Sequence, residues 1–360
     1  MKKGIGIDAA RRAQAIERIS LLAFMHRGIR QAPVTVLLMV INVVVFATMA
    51  LASGDAMHLA PGISLDWGAN FGPATEEGQW WRLLSAIFVH LSLLHVAVNL
   101  WALWDIGCLM EATLGRWRYS RLFIGSGVIG NLISLALQDQ QRISSGASGA
   151  IFGLYGGLMV FLWRERRRIV IEEYRWIFAF AIAFSVLMLV VGIFIPSIDN
   201  AAHGGGLLAG LVLAMLLGHG AFGPVESTAQ TLFSPAGLLS AIAVMAIFIS
   251  LPAPPYRYSQ ERLASKAIEN FMAQDQLLTQ RWRALVAADS QRPFDYFSET
   301  MDREVAEPYQ RSFEALSKVE VTGNIPSRSV LLRLQSYADH RRAEALQSVQ
   351  DARRDNAVRH

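Results

Sequence analysis

Ser148 and His203 are the side chains best suited to chemistry in this chain, a hydroxyl and an imidazole that each open an apolar stretch. The serine stands in Gly146-Ala147-Ser148-Gly149. The histidine stands in Asn200-Ala201-Ala202-His203 and is followed by Gly204, Gly205, Gly206 and Gly210. A serine hydroxyl is a weak nucleophile until a neighbouring base takes its proton, and imidazole is the commonest such base. A third group, His90, His95 and Asn99, opens another apolar stretch. His95 and Asn99 are four residues apart, so on a helix they share one face, about 6 Å apart along the axis. Their N–H groups, and free backbone N–H groups at a helix start beside Ser148, are suited to hold a developing oxyanion.

Each signal also has a plainer explanation. Gly, Ala and Ser are common wherever membrane helices pack closely, and a His or Asn within a span can simply join neighbouring helices. Agreement in depth would separate the two readings, and depth is set by the elements that carry the residues.

The composition is uneven along the chain. With 360 residues, 53% hydrophobic and 17% charged, it is too apolar for one ordinary soluble domain. Its mean hydropathy is +0.32. Charge concentrates near the N-terminus, in short loops, and after about residue 255. Between these regions the pattern predicts seven spans: Pro33–Ser53, Leu91–Met110, Tyr119–Gln138, Ser148–Trp163, Trp176–Ile195, Ala201–Gly218 and Pro235–Leu251. Each has about 17–22 residues, the length that crosses a hydrocarbon core of about 30 Å. The N-terminal stretch does not read as a cleavable signal, because its apolar run begins late and continues long. Cys108 is the only cysteine, so no disulfide within one chain is available and cysteine usage leaves the compartment open. A net charge of +4 without a basic, aromatic-lined surface points away from nucleic acid.

Loop charge gives the direction of the spans. Lys2, Lys3, Arg11, Arg12, Arg18, Arg27 and Arg30 precede the first span. Arg116, Arg118 and Arg121 join the second to the third, and Arg164, Arg166, Arg167, Arg168 and Arg175 follow the fourth. The alternate Gly54–Trp81 and Ser197–Asn200 segments carry no Lys or Arg. The N-terminus is therefore expected inside, with the second, fourth and sixth spans entering from the outer face. Trp67, Phe71, Trp80 and Trp81 in the long first loop are expected as interfacial anchors or as parts of a gate.

With that direction, Ser148 and His203 each lie about 15 residues before the inner ends of their spans. Both come out roughly 8 Å below the outer surface. His95 and Asn99 fall at a similar level. Chance packing does not require this agreement. Glycine rows at Gly149, Gly153 and Gly157, and at Gly206 and Gly210, would let the fourth and sixth spans approach closely. His203 could then take the Ser148 proton and return it to a leaving amine. No carboxylate is expected at this depth, since Asp105 lies nearer the inner end and Asp199 in the outer turn, so a Ser–His dyad is inferred rather than a triad.

At these residues the sequence resembles the rhomboid family of intramembrane serine proteases, over about Pro33 to Gly218. The resemblance rests on Trp81-Arg82, His95-x-x-x-Asn99 and Gly107-x-x-x-Glu111-x-x-x-Gly115. It rests equally on Gly146-x-Ser148-Gly149 and Ala202-His203-x-x-Gly206-x-x-x-Gly210. It implies Ser148 and His203 as the catalytic pair, with His95 and Asn99 in the oxyanion hole and Gly146 and Gly149 framing the serine. His90 would support structure or water. Phe152, where the family often has tyrosine, would pack its ring on the imidazole. It implies cleavage of single-span membrane proteins near their outer ends, without metal or cofactor.

The expected fold is an all-α polytopic membrane protein, a six-helix rhomboid core with a seventh transmembrane helix and a soluble helical tail. Its segments are a basic cytoplasmic stretch (1–32), the core (33–218), a linker with the seventh span (219–252) and the tail (253–360). Three tail helices are expected, about 259–288, 294–319 and 327–356, broken near Arg292-Pro293 and at Gly323-Asn324-Ile325-Pro326. Leu263, Ile268, Phe271, Leu277, Leu278 and Trp282 would form an approximate apolar stripe. The tail would lie outside, as an accessory bundle or a surface for a partner. The absence of a Ser-rich transit segment favours a bacterial plasma membrane. Two competing readings are a non-proteolytic rhomboid-like protein that escorts membrane segments and a transporter with a midplane polar site. The intact polar set argues against the first, and its outward displacement against the second.

Overall fold

The computed structural model describes residues 20–22, 32–139, 141–217, 235–288, 294–320 and 323–359. The basic residues before residue 20, most of the linker before Pro235 and the Arg292-Pro293 break lie outside the described residues. The chain forms two compact units, Met1–Ala253 and Pro254–His360. All regular elements described are helical.

The first unit opens with α1 (Pro33–Ser53), whose first turn holds a proline, the residue that tolerates the missing N–H of a helix start. A long first loop follows, built from α2 (Pro61–Asp66), α3 (Gly72–Glu76), α4 (Arg82–Ser85) and a 3₁₀ turn at Ala86–Phe88. Then come α5 (Leu93–Leu114), α6 (Arg116–Leu137), α7 (Ser148–Glu165), α8 (Ile171–Phe194), α9 (Asn200–Leu216) and α10 (Pro235–Ile249). Four of these, α1, α5, α6 and α8, are long and apolar enough to cross a membrane. The protein is a multi-pass membrane protein. Helix α7 is shorter, 18 residues, and rich in glycine, which lowers its apolarity. Fourteen of those residues are buried, because α9, α6, α5 and α8 all pack around it.

The motif Gly107-x-x-x-Glu111-x-x-x-Gly115 serves the helix ends. Glu111 is buried, and its carboxylate accepts from the backbone N–H groups of Val34 (3.0 Å) and Thr35 (2.7 Å) and from Thr35 Oγ1 (2.9 Å). An anion here meets the positive end of the α1 dipole and satisfies donors that have no partner within the helix. At Gly107 a Cβ would stand 2.8 Å from Thr35 Cγ2 and 2.9 Å from the Tyr119 hydroxyl, so only glycine admits this cap. Gly115 takes φ +77° to turn the chain from α5 into α6. Replacing Glu111 by leucine is expected to destabilise the protein by about 2–4 kcal/mol, since it strands two buried N–H donors. Glu111→Gln should recover part of that loss. Denaturation in mild detergent checks the order; equal stability of all three proteins would contradict the cap.

The first loop is held by polar side chains turned inward. Arg82, 3% exposed, donates to the carbonyls of Leu65 (2.7 Å) and Ala69 (2.9 Å) and to Gln79 Oε1 (2.8 Å). A buried guanidinium is tolerable because its donors are matched by several oxygens at once. Asn131, within α6, donates to the Leu83 carbonyl (2.9 Å), and Asn70 donates to the Asn131 carbonyl (3.0 Å). Asn70 and Ser144 exchange two backbone hydrogen bonds of 2.9 Å, tying the first loop to the segment that leads into α7. Of the four loop aromatics, Trp67 and Trp81 are exposed. Phe71 is instead buried, and Trp80 packs on Phe248 of α10 with ring centroids 4.9 Å apart. These two pack within the protein. Val244, Ile247 and Leu251 join the same cluster against Leu83, Leu132 and Leu135, so the end of α10 sits beside the first loop.

The second unit contains α11 (Tyr258–Ala288), α12 (Phe294–Met301), a π-helical turn at Asp302–Ala306, α13 (Glu307–Ser317) and α14 (Arg328–Arg359). Its buried stripe on α11 is Ala264, Phe271 and Leu278, a repeat of seven. Leu263 and Leu277 are exposed and do not belong to that face, because a strict heptad selects one line of residues and leaves their neighbours outside. The helical stretch after residue 294 is interrupted by the π turn. Asp275 accepts from the Tyr309 hydroxyl at 2.8 Å, and Arg341 lies over the Trp282 ring at 4.3 Å, giving this bundle a polar cluster inside.

Candidate active site

Ser148 is the first residue of α7, and His203 lies in the first turn of α9. The two helices meet through backbone. A Cβ on Gly206 would run into the Gly149 carbonyl, and one on Gly210 into the Gly153 carbonyl. A Cβ on Gly149 would meet the Ala202 carbonyl at 3.3 Å, and one on Gly153 the Gly206 carbonyl at 3.2 Å. The third member of the α7 row is Gly156, which faces Leu207 and Leu211; Gly157 instead faces Leu122 and Met110. A row spaced strictly by four drifts around a helix of 3.6 residues per turn, so the expected Gly149–Gly153–Gly157 line leaves the seam at its third step.

This seam sets Ser148 Oγ and His203 Nε2 2.7 Å apart. The hydroxyl donates when Nε2 is the unprotonated nitrogen. Phe152, one turn after Ser148, lies flat on the imidazole with centroids 4.4 Å apart and planes 15° from parallel. Phe184 of α8 lies 6.4 Å from Phe152 in a tilted contact, and Tyr155 lies 4.6 Å from Phe184. An aromatic pair of this kind adds about 0.5–1.5 kcal/mol beyond its burial and limits rotation of the ring.

His203 Nδ1 is buried and meets no hydrogen-bonding partner among the described residues. Asp199, the nearest acidic residue in sequence, is engaged elsewhere. Its side chain caps α9 through the Ala202 N–H at 2.8 Å and accepts from Ser134 Oγ at 2.5 Å and from Gln138 Nε2. It secures the helix that carries the histidine, not the imidazole itself.

The remaining polar residues surround the start of α7. His95, half-buried, follows the Ser92 N-cap of α5, whose hydroxyl accepts the His95 N–H at 3.2 Å. Asn99 is buried one turn further on, and its amide donates to the His95 carbonyl at 2.9 Å, leaving a second amide hydrogen free by valence. Gly146, at φ +114°, approaches His95 so closely that a Cβ would stand 2.7 Å from Nε2. His90, fully buried, accepts the Ala147 N–H at Nε2 (3.4 Å) and sits edge-on to His95 with centroids 5.0 Å apart. Cys108 lies elsewhere on α5, half-buried. No group of acidic, histidine or cysteine residues suited to a metal occurs among the described residues.

Sequence reading did not single out Asn70, Asn131 or Ser144, which hold the approach to Ser148. An asparagine within a span, as at Asn131, was the available signal. Asn70 and Ser144 lie in loops and carried none.

Similarity to known proteins runs through the same region. A family model described as Rhomboid domain matches residues 77–220, which leaves α1 outside the match. The chain is 34% identical over 196 residues to "Rhomboid protease GluP" of Bacillus subtilis, covering 54% of this chain and 36% of that protein. It is 40% identical over 143 residues to "RHOMBOID-like protein 5" of Arabidopsis thaliana, covering 39% and 45%. With "Rhomboid-like protease 1" of Toxoplasma gondii it shares 30% identity over 216 residues, 58% of this chain and 70% of that one. It therefore spans less than half the length of the first two relatives. Taken with the third, which it covers over two thirds, these matches establish that the chain belongs to the rhomboid family.

Proposed function

We propose that this protein is an intramembrane serine endopeptidase that cleaves transmembrane proteins near the outer membrane face through a Ser148–His203 dyad. The observation that carries the reading is the 2.7 Å contact between Ser148 Oγ and His203 Nε2 at the start of a buried helix. His203 Nε2 accepts the hydroxyl proton as Oγ attacks the scissile carbonyl. The tetrahedral oxyanion receives hydrogen bonds from the Ser148 backbone N–H, Asn99 and His95. The imidazolium then protonates the leaving amine, and water, activated by the same ring, releases the acyl group from Ser148. With Nδ1 free of any carboxylate, ring orientation falls to the Phe152 stack and to the fixed start of α9.

The frame is a six-span core with a seventh crossing at α10, N-terminus inside and tail outside. The packing of Val244, Ile247, Phe248 and Leu251 against Trp80 and Leu83 supports this direction, because it puts the end of α10 at the level of the outer loop. The residues of the tail would then share the face on which substrates are cut. A single-cysteine protein carrying Ser348→Cys in a Cys108→Ala background is expected to react with an impermeant thiol reagent from outside. Reaction confined to the cytoplasmic side would reverse the placement.

The activity itself is tested in proteoliposomes holding a single-span protein with small residues near its outer end. A new N-terminus within the outer quarter of the span, found by mass spectrometry and absent with Ser148→Ala, is the expected product. Intact substrate across a panel of such spans would count against a protease.

A further inference from the structure

His90 is the one fully buried histidine of the site that touches neither Ser148 nor His203, and the chain just before Ser148 gives it a task. Ser144 N–H donates to the Asn70 carbonyl at 2.9 Å, and Gly146 N–H donates to the Ala86 carbonyl at 2.8 Å. Ala147 N–H has a side-chain nitrogen instead, His90 Nε2 at 3.4 Å. The next amide belongs to Ser148, at the helix start, where no acceptor exists within the helix. The direction of that amide is fixed by the two peptides before it, and His90 holds the nearer one. Gly146, at φ +114°, adopts a turn that side-chain-bearing residues avoid, so the turn needs an external hold. His90 also meets the His95 ring, edge to face at 69° and 5.0 Å between centroids. His95 in turn leaves no room for a Cβ on Gly146.

Resting on the protease reading above, we infer that His90 is a positioning residue that sets two of the three donors of the oxyanion hole. It aims the Ser148 amide through Ala147 N–H and the His95 ring through their edge contact. The role requires an unprotonated Nε2, because a ring with hydrogen on that nitrogen would present a donor to a donor. A side chain that places an acceptor where Nε2 stands should replace it. Glutamine reaches that far with its oxygen; asparagine, one methylene shorter, does not; leucine has no acceptor.

The test compares full-length wild type, His90→Gln, His90→Asn and His90→Leu in detergent, each at the same folded fraction by thermal melting. Two rates are read: phosphonylation of Ser148 by a fluorophosphonate, and kcat with KM for a single-span substrate. Misplacing a donor by about an ångström lowers rates by up to about 100-fold. His90→Leu and His90→Asn are expected to lose about 10- to 100-fold in both phosphonylation and kcat, with KM little changed. His90→Gln should return to within about fivefold of wild type. Equal rates for all three variants, high or low, would overturn the inference, since volume alone would then decide. A rise in KM at constant kcat would overturn it as well. Failure of wild type to react would instead remove the protease reading on which the inference stands.

Discussion

Ser148→Ala and His203→Ala are each expected to lower peptide-bond hydrolysis by about 10⁴- to 10⁶-fold, and the double variant by no more than the worse single. The two side chains act as one unit. Without His203 the hydroxyl keeps its proton, and without Ser148 the imidazole has no nucleophile to activate. The 2.7 Å separation makes this coupling direct, with no intervening group. Additive losses in the double variant would mean the residues act in separate steps. His203→Ala also removes the surface on which Phe152 stacks, so its folded fraction must be measured beside its rate. Substrate binding should survive both changes, because both side chains act in the chemical step.

Gly206→Val is expected to be nearly as damaging for a different reason. Its Cβ would enter the Gly149 carbonyl, which is backbone on the helix that begins with Ser148. Neither helix can yield locally, so α7 and α9 must separate, and the dyad separates with them. Displacement of about 1 Å at the reacting atoms is enough for a loss of about 100-fold. Overpacking also destabilises, typically by about 1–3 kcal/mol and more where backbone is struck. Gly204, two residues away on the same helix, meets nothing within 4 Å. Gly204→Ala should therefore keep activity within about twofold and gain some stability through helix propensity. Activity assays and thermal melts of the pair decide the matter. Equal tolerance at both positions would contradict the seam.

The apolar runs made the helices legible, because a stretch that must satisfy its backbone within a membrane has little choice but to be helical. Glycine patterning made the approach of α7 and α9 legible, but not its register. Gly156 and Gly157 are adjacent in sequence and differ only in which neighbour they face, which a 3.6-residue period decides over several turns. The first loop was the least readable part. Arg82 resembles an ordinary interfacial cation, and its burial among carbonyls arises from contacts with residues up to 17 positions away. The partner of Trp80 is Phe248 of α10, more than 160 residues away in the chain. Such long-range pairings leave no local period. In the second unit, Leu263, Ile268, Phe271, Leu277, Leu278 and Trp282 gave a broad stripe, and only packing shows that Leu263 and Leu277 stay outside it.

The most direct test of the central claim is labelling of the purified full-length protein with a fluorophosphonate, since it needs no known substrate. Wild type, Ser148→Ala and His203→Ala would be compared at matched folded fraction, with the adduct located by mass spectrometry. The expected result is one adduct, on Ser148, lost in both variants. Well-folded wild type that forms no adduct across several probes would contradict an activated serine and favour a rhomboid-family protein that binds membrane segments without cutting them.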